Sequence, residues 1–361
     1  MNIIDASDNY RNDMDEYMNK VTSIYGESSS PAALEKISLA NAGNLVALKA
    51  YADDIYYGHI KRKYRFRDSF SLYLKAANIA SLTDLTRING NNAYPPAFWS
   101  LGLFLVNYKY ESVLRKCESI EMIDEIPRSK RLISALILSL SCLHYIDSSA
   151  VYNLIGRILR EYADNTDMAD SEKQSLSDAF TIKEFTDVYN SHDMPINEAL
   201  LSDASNAFFL KAYKLGYVYA CNNLASKEAA IIVAMYNASS NKEDLLVNLD
   251  FTTHVDSYIK YLRTSADKFE PYAANRLGLF YMSGEIISNK HKIHLRNYID
   301  TSMAKSYWNK AIVRPDVNSA WAFFNLIQNF PKDYENIDLL NEHMEYIKQL
   351  NPRVYDIAID L

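Results

Sequence analysis

The stretch Ser257–Gly284 reads SYIKYLRTSADKFEPYAANRLGLFYMSG. Two helical patterns flank a short turn at Lys268–Pro271. In the second pattern Ala273, Leu277, Gly278, Tyr281 and Gly284 stand at relative positions 1, 5, 6, 9 and 12. Helical spacing puts these residues on one side of a helix. Their small members leave room for a neighbouring helix and their large members fill the gaps. The stretch therefore predicts a helix hairpin built to stack on copies of itself, and the rest of the chain can be searched for those copies.

The composition agrees with an all-helical protein. The chain has nine glycines in 361 residues, against about 7% in average proteins, too few for many hairpin turns or phosphate loops. Tyrosine is abundant, at 28 residues. A flat ring with a polar tip suits packing between helices, where the hydroxyl reaches water or a backbone group. The net charge of −7 and the dispersed basic residues weigh against a nucleic-acid binder, which needs a concentrated positive footprint. One basic run, Lys61, Arg62, Lys63, Arg65 and Arg67 with Tyr64 and Phe66 between, reads as a solvated inter-helix loop. Cys117, Cys142 and Cys221 are too far apart to form a paired metal spacing or a disulfide framework, and read as reduced core thiols. The N-terminal residues show no basic segment followed by an apolar one, and the longest apolar run, Leu132–Ile146, is short and broken by serines. These features predict a soluble cytoplasmic protein that does not engage the membrane.

Copies of the opening pattern recur. Ala47, Tyr51, Ala52, Ile55 and Gly58 repeat it in 45–58. Ala97, Leu101, Gly102 and Leu105 repeat it in 97–108, with Tyr108 in place of the final glycine. Ala220, Leu224 and Ala225 begin another copy, and Ala229, Val233 and Ala234 offer an overlapping register. Ala320, Phe324 and Asn325 make a last, degraded copy. Second helices end in similar runs at Leu74–Ala77, Leu210–Tyr213, Leu262–Ala266 and Asn309–Ala311. The shared pattern A-x3-L-G-x2-Y-x2-G with such a second helix resembles the Sel1-like repeat family, relatives of the tetratricopeptide repeats. The resemblance covers about half of the chain and implies an α-solenoid of antiparallel helix hairpins, in which each repeat buries its apolar face only against its neighbours.

On this reading residues 1–40 are N-terminal helices and 41–110 a first Sel1-like region. Residues 111–192 are helical but lack the pattern, 193–330 form a second Sel1-like region, and 331–361 carry a capping helix. Ser191–Pro195 marks the best boundary between two halves, and Glu285–Leu295 reads as an extended loop.

The resemblance also implies an adaptor. If positions 1, 5, 6 and 9 pack inward, positions 3, 7 and 10 form an exposed stripe on the first helices, which line the concave face. That stripe holds Lys49, Asp53 and Tyr56, then Trp99 and Val106, then Asn222 and Ser226, then Asn275, Leu279 and Met282. Asparagines that pair with a peptide backbone, with Trp99 and tyrosines beside them, suit a segment of a partner protein.

Catalytic constellations are missing from the sequence. There is no G-x-S-x-G, no P-loop and no H-E-x-x-H. His291 and His294 form an isolated H-x2-H pair without companion ligands, and His144 reads as a core histidine. The neighbouring carboxylates Asp53 and Asp54 should diverge on a helix. No cofactor and no metal is expected. The leading expectation is a non-enzymatic interaction scaffold. A regulatory receptor for a small peptide and an enzyme of unrecognised type are the alternatives.

Overall fold

A computed structural model describes residues 31–60, 62, 64–80, 82, 92–115, 120–164, 168–190, 195–288, 291–314, 316–334 and 337–359. The expected helix over 3–25, the Ser191–Met194 part of the expected boundary and Cys117 lie outside them. Most described residues are helical, and the chain divides into two compact units between Lys211 and Ala212.

In the first unit the helices are α1 (Pro31–Asn41), α2 (Leu45–Tyr57), α3 (Arg65–Ala76), α4 (Pro95–Arg115) and the short α5 (Glu121–Asp124). They continue with α6 (Arg128–Leu143), α7 (Ser149–Ala163), α8 (Asp170–Phe180), the short α9 (Lys183–Thr186) and α10 (Glu198–Lys214), in which the division falls. Packing is mostly sequential: α2 lies on α1 and α3, α4 on α3 and α6, and α6 on α7 and α8. Local chemistry sets the ends. Asn44 caps α2 by accepting from the Ala47 amide at 3.0 Å. Gly58, the twelfth residue of the repeat pattern, ends α2 with φ of 80°, a left-handed conformation that costs glycine least. The 97–108 copy has Tyr108 at that position, so nothing stops the helix and α4 runs on to Arg115. It thereby crosses the expected boundary at 110, and its partner α6 comes from the stretch that lacks the pattern. The longest apolar run lies in α6, which buries Leu132, Ala135, Leu136, Leu138, Leu140 and Cys142.

Gly102, sixth in its copy of the sequence pattern, lies where α4 and α6 approach. A Cβ on Gly102 of α4 would lie 3.2 Å from the Ala135 carbonyl and from the Ser139 hydroxyl of α6. Tyrosines and phenylalanines fill the wider gaps: Tyr56 touches Phe66, Tyr73 and Phe104, with ring centroids 5.7–6.4 Å apart.

In the second unit α11 (Val218–Ala238) contains both overlapping registers in one long helix. After it come α12 (Lys242–Leu246), α13 (Leu249–Ala266), α14 (Pro271–Ser283), strands β1 (Glu285–Ser288) and β2 (His291–His294), and a 3-10 turn at Arg296–Tyr298. Then follow α15 (Thr301–Ala311), α16 (Val317–Asn329), α17 (Ile337–Leu350) and α18 (Pro352–Ile359). The closest helix pairs are α11 with α13 and α14 with α15, and each hairpin packs on the next. One apolar cluster gathers Phe251, Tyr258, Leu277, Phe280 and Trp308. Another joins Phe323 and Phe324 to Ile347, Val354 and Ala358, so the C-terminal cap consists of two helices where one was expected.

The segment expected to be an extended loop is an antiparallel hairpin. Glu285 pairs with His294 and Ser288 with His291. Ile286, Ile293 and Leu295 are buried, and the strands pack on α11 and α14. The period-two apolar pattern of Ile293 and Leu295 is the sequence signal for it.

Candidate functional site

Three of the expected stripe residues meet on the first unit. On α2 the Lys49 ammonium binds Asp53 Oδ2 at 2.6 Å, one helical turn away. It also stands 5.7 Å from the centre of the Trp99 ring, on α4. The other Asp53 oxygen accepts from the Tyr73 hydroxyl at 2.8 Å. Burial, with Asp53 adding to it, pushes the Tyr73 phenol far above its ordinary range, so Tyr73 stays a neutral donor. Lys49, Asp53 and Trp99 are all half-buried. A cation held over an indole beside a carboxylate presents hydrogen-bonding and stacking groups on one surface. Asp54 turns elsewhere, to Lys36 and to His59 at 3.3 Å, so the adjacent carboxylates do not converge on one proton.

Most of the rest of the stripe is not a free surface. Tyr56 is 7% exposed, inside the aromatic cluster against Phe66, Tyr73 and Phe104, and Val106 is buried as well. A first helix here packs against its own second helix and against neighbouring hairpins, so position 10 closes over. In the second unit Asn222 donates to Glu270 Oε2 at 2.9 Å. Glu270 caps α14, accepting from the amides of Tyr272 at 3.2 Å and Ala273 at 2.8 Å. Asn275 is 7% exposed and accepts from Asn325 Nδ2 of α16 at 3.2 Å. Thus two asparagines read as peptide-binding groups spend their amides inside the protein. Met282 and Leu279 are half-buried against the apolar cluster, and Ser226 is exposed.

The histidines and the basic run also have specific places. His144, read as a core residue, caps the end of α6 and is exposed, with Nδ1 2.8 Å from Glu184. His291 and His294 stand exposed on β2, and His294 Nδ1 donates to the Ser283 carbonyl at 3.1 Å. Among the described residues no three metal-binding side chains converge. Arg65 donates through Nε to the Tyr56 carbonyl at 2.8 Å, satisfying the end of α2, and Arg67 lies 4.0 Å over the Tyr64 ring. Lys61 and Lys63 lie outside the described residues.

No protein-family model matches the chain, and no curated protein matches it.

The sequence reading missed the tie between Arg128 and Glu161. Arg128 reaches both Glu161 oxygens at 2.7 Å and the carbonyls of Leu105 and Val106 at 2.9 and 2.8 Å. It links α4, α6 and α7 at one point. No motif marks the pair, because the partners are far apart in sequence. No helix among the described residues is long and apolar enough to cross a membrane.

Proposed function

We propose that the chain is a Sel1-like repeat protein, each unit a stretch of α-solenoid, acting in the cytoplasm as a non-enzymatic scaffold. Its first helices hold a segment of a partner protein. The observation that carries this reading is the grouping of Lys49, Asp53 and Trp99 on two successive first helices, half-open and anchored from beneath by Tyr73. Large aromatic anchors ringed by polar groups dominate protein interfaces. Lys49 and Asp53 neutralise each other at short range, which suits recognition better than proton transfer. The repeat assignment draws support from the recurring small residue at the hairpin crossing and the left-handed glycines Gly58 and Gly284 at helix ends.

The test is retention of binding partners by immobilised chain at low salt, followed by titration of the purified partner against Trp99 fluorescence. Trp99→Ala should lose the partner, while Tyr219→Ala, which removes an exposed aromatic elsewhere, should keep it. Equal retention by both variants would reject the assignment of the site, and turnover of a substrate by the chain would reject the scaffold reading.

A further inference from the structure

We propose that the open edge of β2 is a docking site for an extended segment of a partner protein in which acidic and apolar residues alternate. The site lies wholly within the second unit and does not depend on the Trp99 surface. Leu295 donates its amide to the Gly284 carbonyl at 2.8 Å, and the register continues as Glu285 with His294 and Ile286 with Ile293. In an antiparallel pair hydrogen-bonded and non-bonded positions alternate. Leu295, Ile293 and His291 therefore direct their peptide groups at β1, while Lys292 and His294 direct theirs outward. Among the described residues the sheet has two strands, and none of them pairs with that outward edge. Exposed edges of this kind accept further strands.

An open cleft of about 680 Å³ lies along this edge, lined by Tyr236, Leu246, Lys292, Ile293, His294, Leu295, Arg296 and Asn297. Among the described residues no carboxylate lines it. Lys292 is paired with Glu285. Among the described residues nothing engages the Arg296 guanidinium, which is exposed. Lys292 and His294 share one face of the strand, with Arg296 following, and Ile293 and Leu295 take the other. A strand added here places alternate side chains on the two faces. Acidic ones meet Lys292, His294 and Arg296, and apolar ones meet Tyr236 and Leu246. Val247 and Leu249, 82% and 81% exposed, follow the cleft residue Leu246 in the chain. The same cations oppose a second copy of this chain, since pairing β2 with β2 would set like charges against each other.

The full chain is titrated into a fluorescein-labelled peptide of alternating glutamate and valine, with alternating lysine and valine as the control, and anisotropy is read. Wild type should bind the acidic peptide and not the basic one, and Arg296→Glu should weaken binding about tenfold or more. Backbone hydrogen exchange separates strand addition from charge attraction: the Lys292 and His294 amides should slow on binding, and the Ile293 amide, already bonded to β1, should not change. His294→Pro, which removes one outward N–H and no bond to β1, should abolish the slowing at 292. Absence of binding, equal binding of the basic peptide, indifference to Arg296→Glu, or unchanged exchange at 292 and 294 would each overturn the proposal.

Discussion

The indole of Trp308 occupies the space that a side chain on Gly278 would need. A Cβ at Gly278 would lie 2.3 Å from Trp308 Nε1 and 2.4 Å from Cδ1, and Trp308 is fully buried. The ring has nowhere to go, so Gly278→Ala should cost about 1–3 kcal/mol by overpacking. Thermal unfolding measures it. Trp308→Leu should relieve part of that cost in the double variant, read as a coupling in a double-mutant cycle. An unchanged melting temperature for Gly278→Ala would contradict the close approach at the hairpin crossing.

Gly156 plays the same part in the first unit. A Cβ there would meet Phe209 at 2.6 Å, and Phe209 is 2% exposed. Gly156→Ala should lower stability by about 2–3 kcal/mol, whereas Gly43, with open space for a Cβ but φ of 85°, should lose about 1–2 kcal/mol on change to alanine, from backbone strain alone. Chemical denaturation of the two variants ranks them, and the reverse order would refute the packing argument.

Glu270 is 7% exposed and serves the α14 cap and Asn222 together. Glu270→Ala should cost about 1–3 kcal/mol, through a lost cap and an unpaired Asn222 amide. Asn222→Ala and the double variant complete a cycle. Strict additivity would show that the bond from Asn222 carries no stability.

Arg128→Lys should destabilise nearly as much as Arg128→Ala, because an ammonium cannot reach Glu161 and two carbonyls at once. A loss of about 1–3 kcal/mol is expected. Full stability in the lysine variant would mean that charge alone matters there.

Burial pushes the Cys142 and Cys221 thiols up from 9.0 to about 11. Between those values the unfolded chain sheds protons that the folded chain keeps. The contribution is intact below pH 9.0 and is lost as pH rises through about 11. Melting temperature should therefore fall over this window, and less steeply in Cys142→Ala. Iodoacetamide should modify both cysteines slowly at pH 9 until denaturant is added, with mass mapping to assign the sites. Rapid labelling of the folded chain would contradict their burial.

Much of the fold was legible because its signals are local. Spacing of apolar residues located the helices of 257–284. Asn44 and Pro271, which read as turn residues, cap α2 and open α14, and Gly58 and Gly284 end those helices. The absence of a glycine at Tyr108 is visible too, and its consequence is seven further residues of α4. The β-hairpin is hidden in the sequence because two four-residue strands in a helical chain look like a loop, and only burial of Ile286 and Ile293 in the tertiary structure distinguishes them.

The candidate site was legible in part. Lys49 and Asp53 are one turn apart on a single helix, so sequence spacing alone brings them together. Trp99 joins them only because α4 packs beside α3 and α2, a distance in the chain that no local pattern reports. Asn222 and Asn275 carried the right chemistry for a peptide, but Glu270 and Asn325 took it.

By itself the sequence determined that this chain is helical, where most of its helices begin and end, and which small residues face a neighbour. Those are consequences of backbone propensity and of a periodicity that acts within one turn. Tertiary structure decided which polar groups remain open. Whether Asn275 meets solvent or Asn325, and whether the β2 edge lies bare, depends on helices far apart in the sequence. Each buried polar group takes whatever partner packing brings within reach.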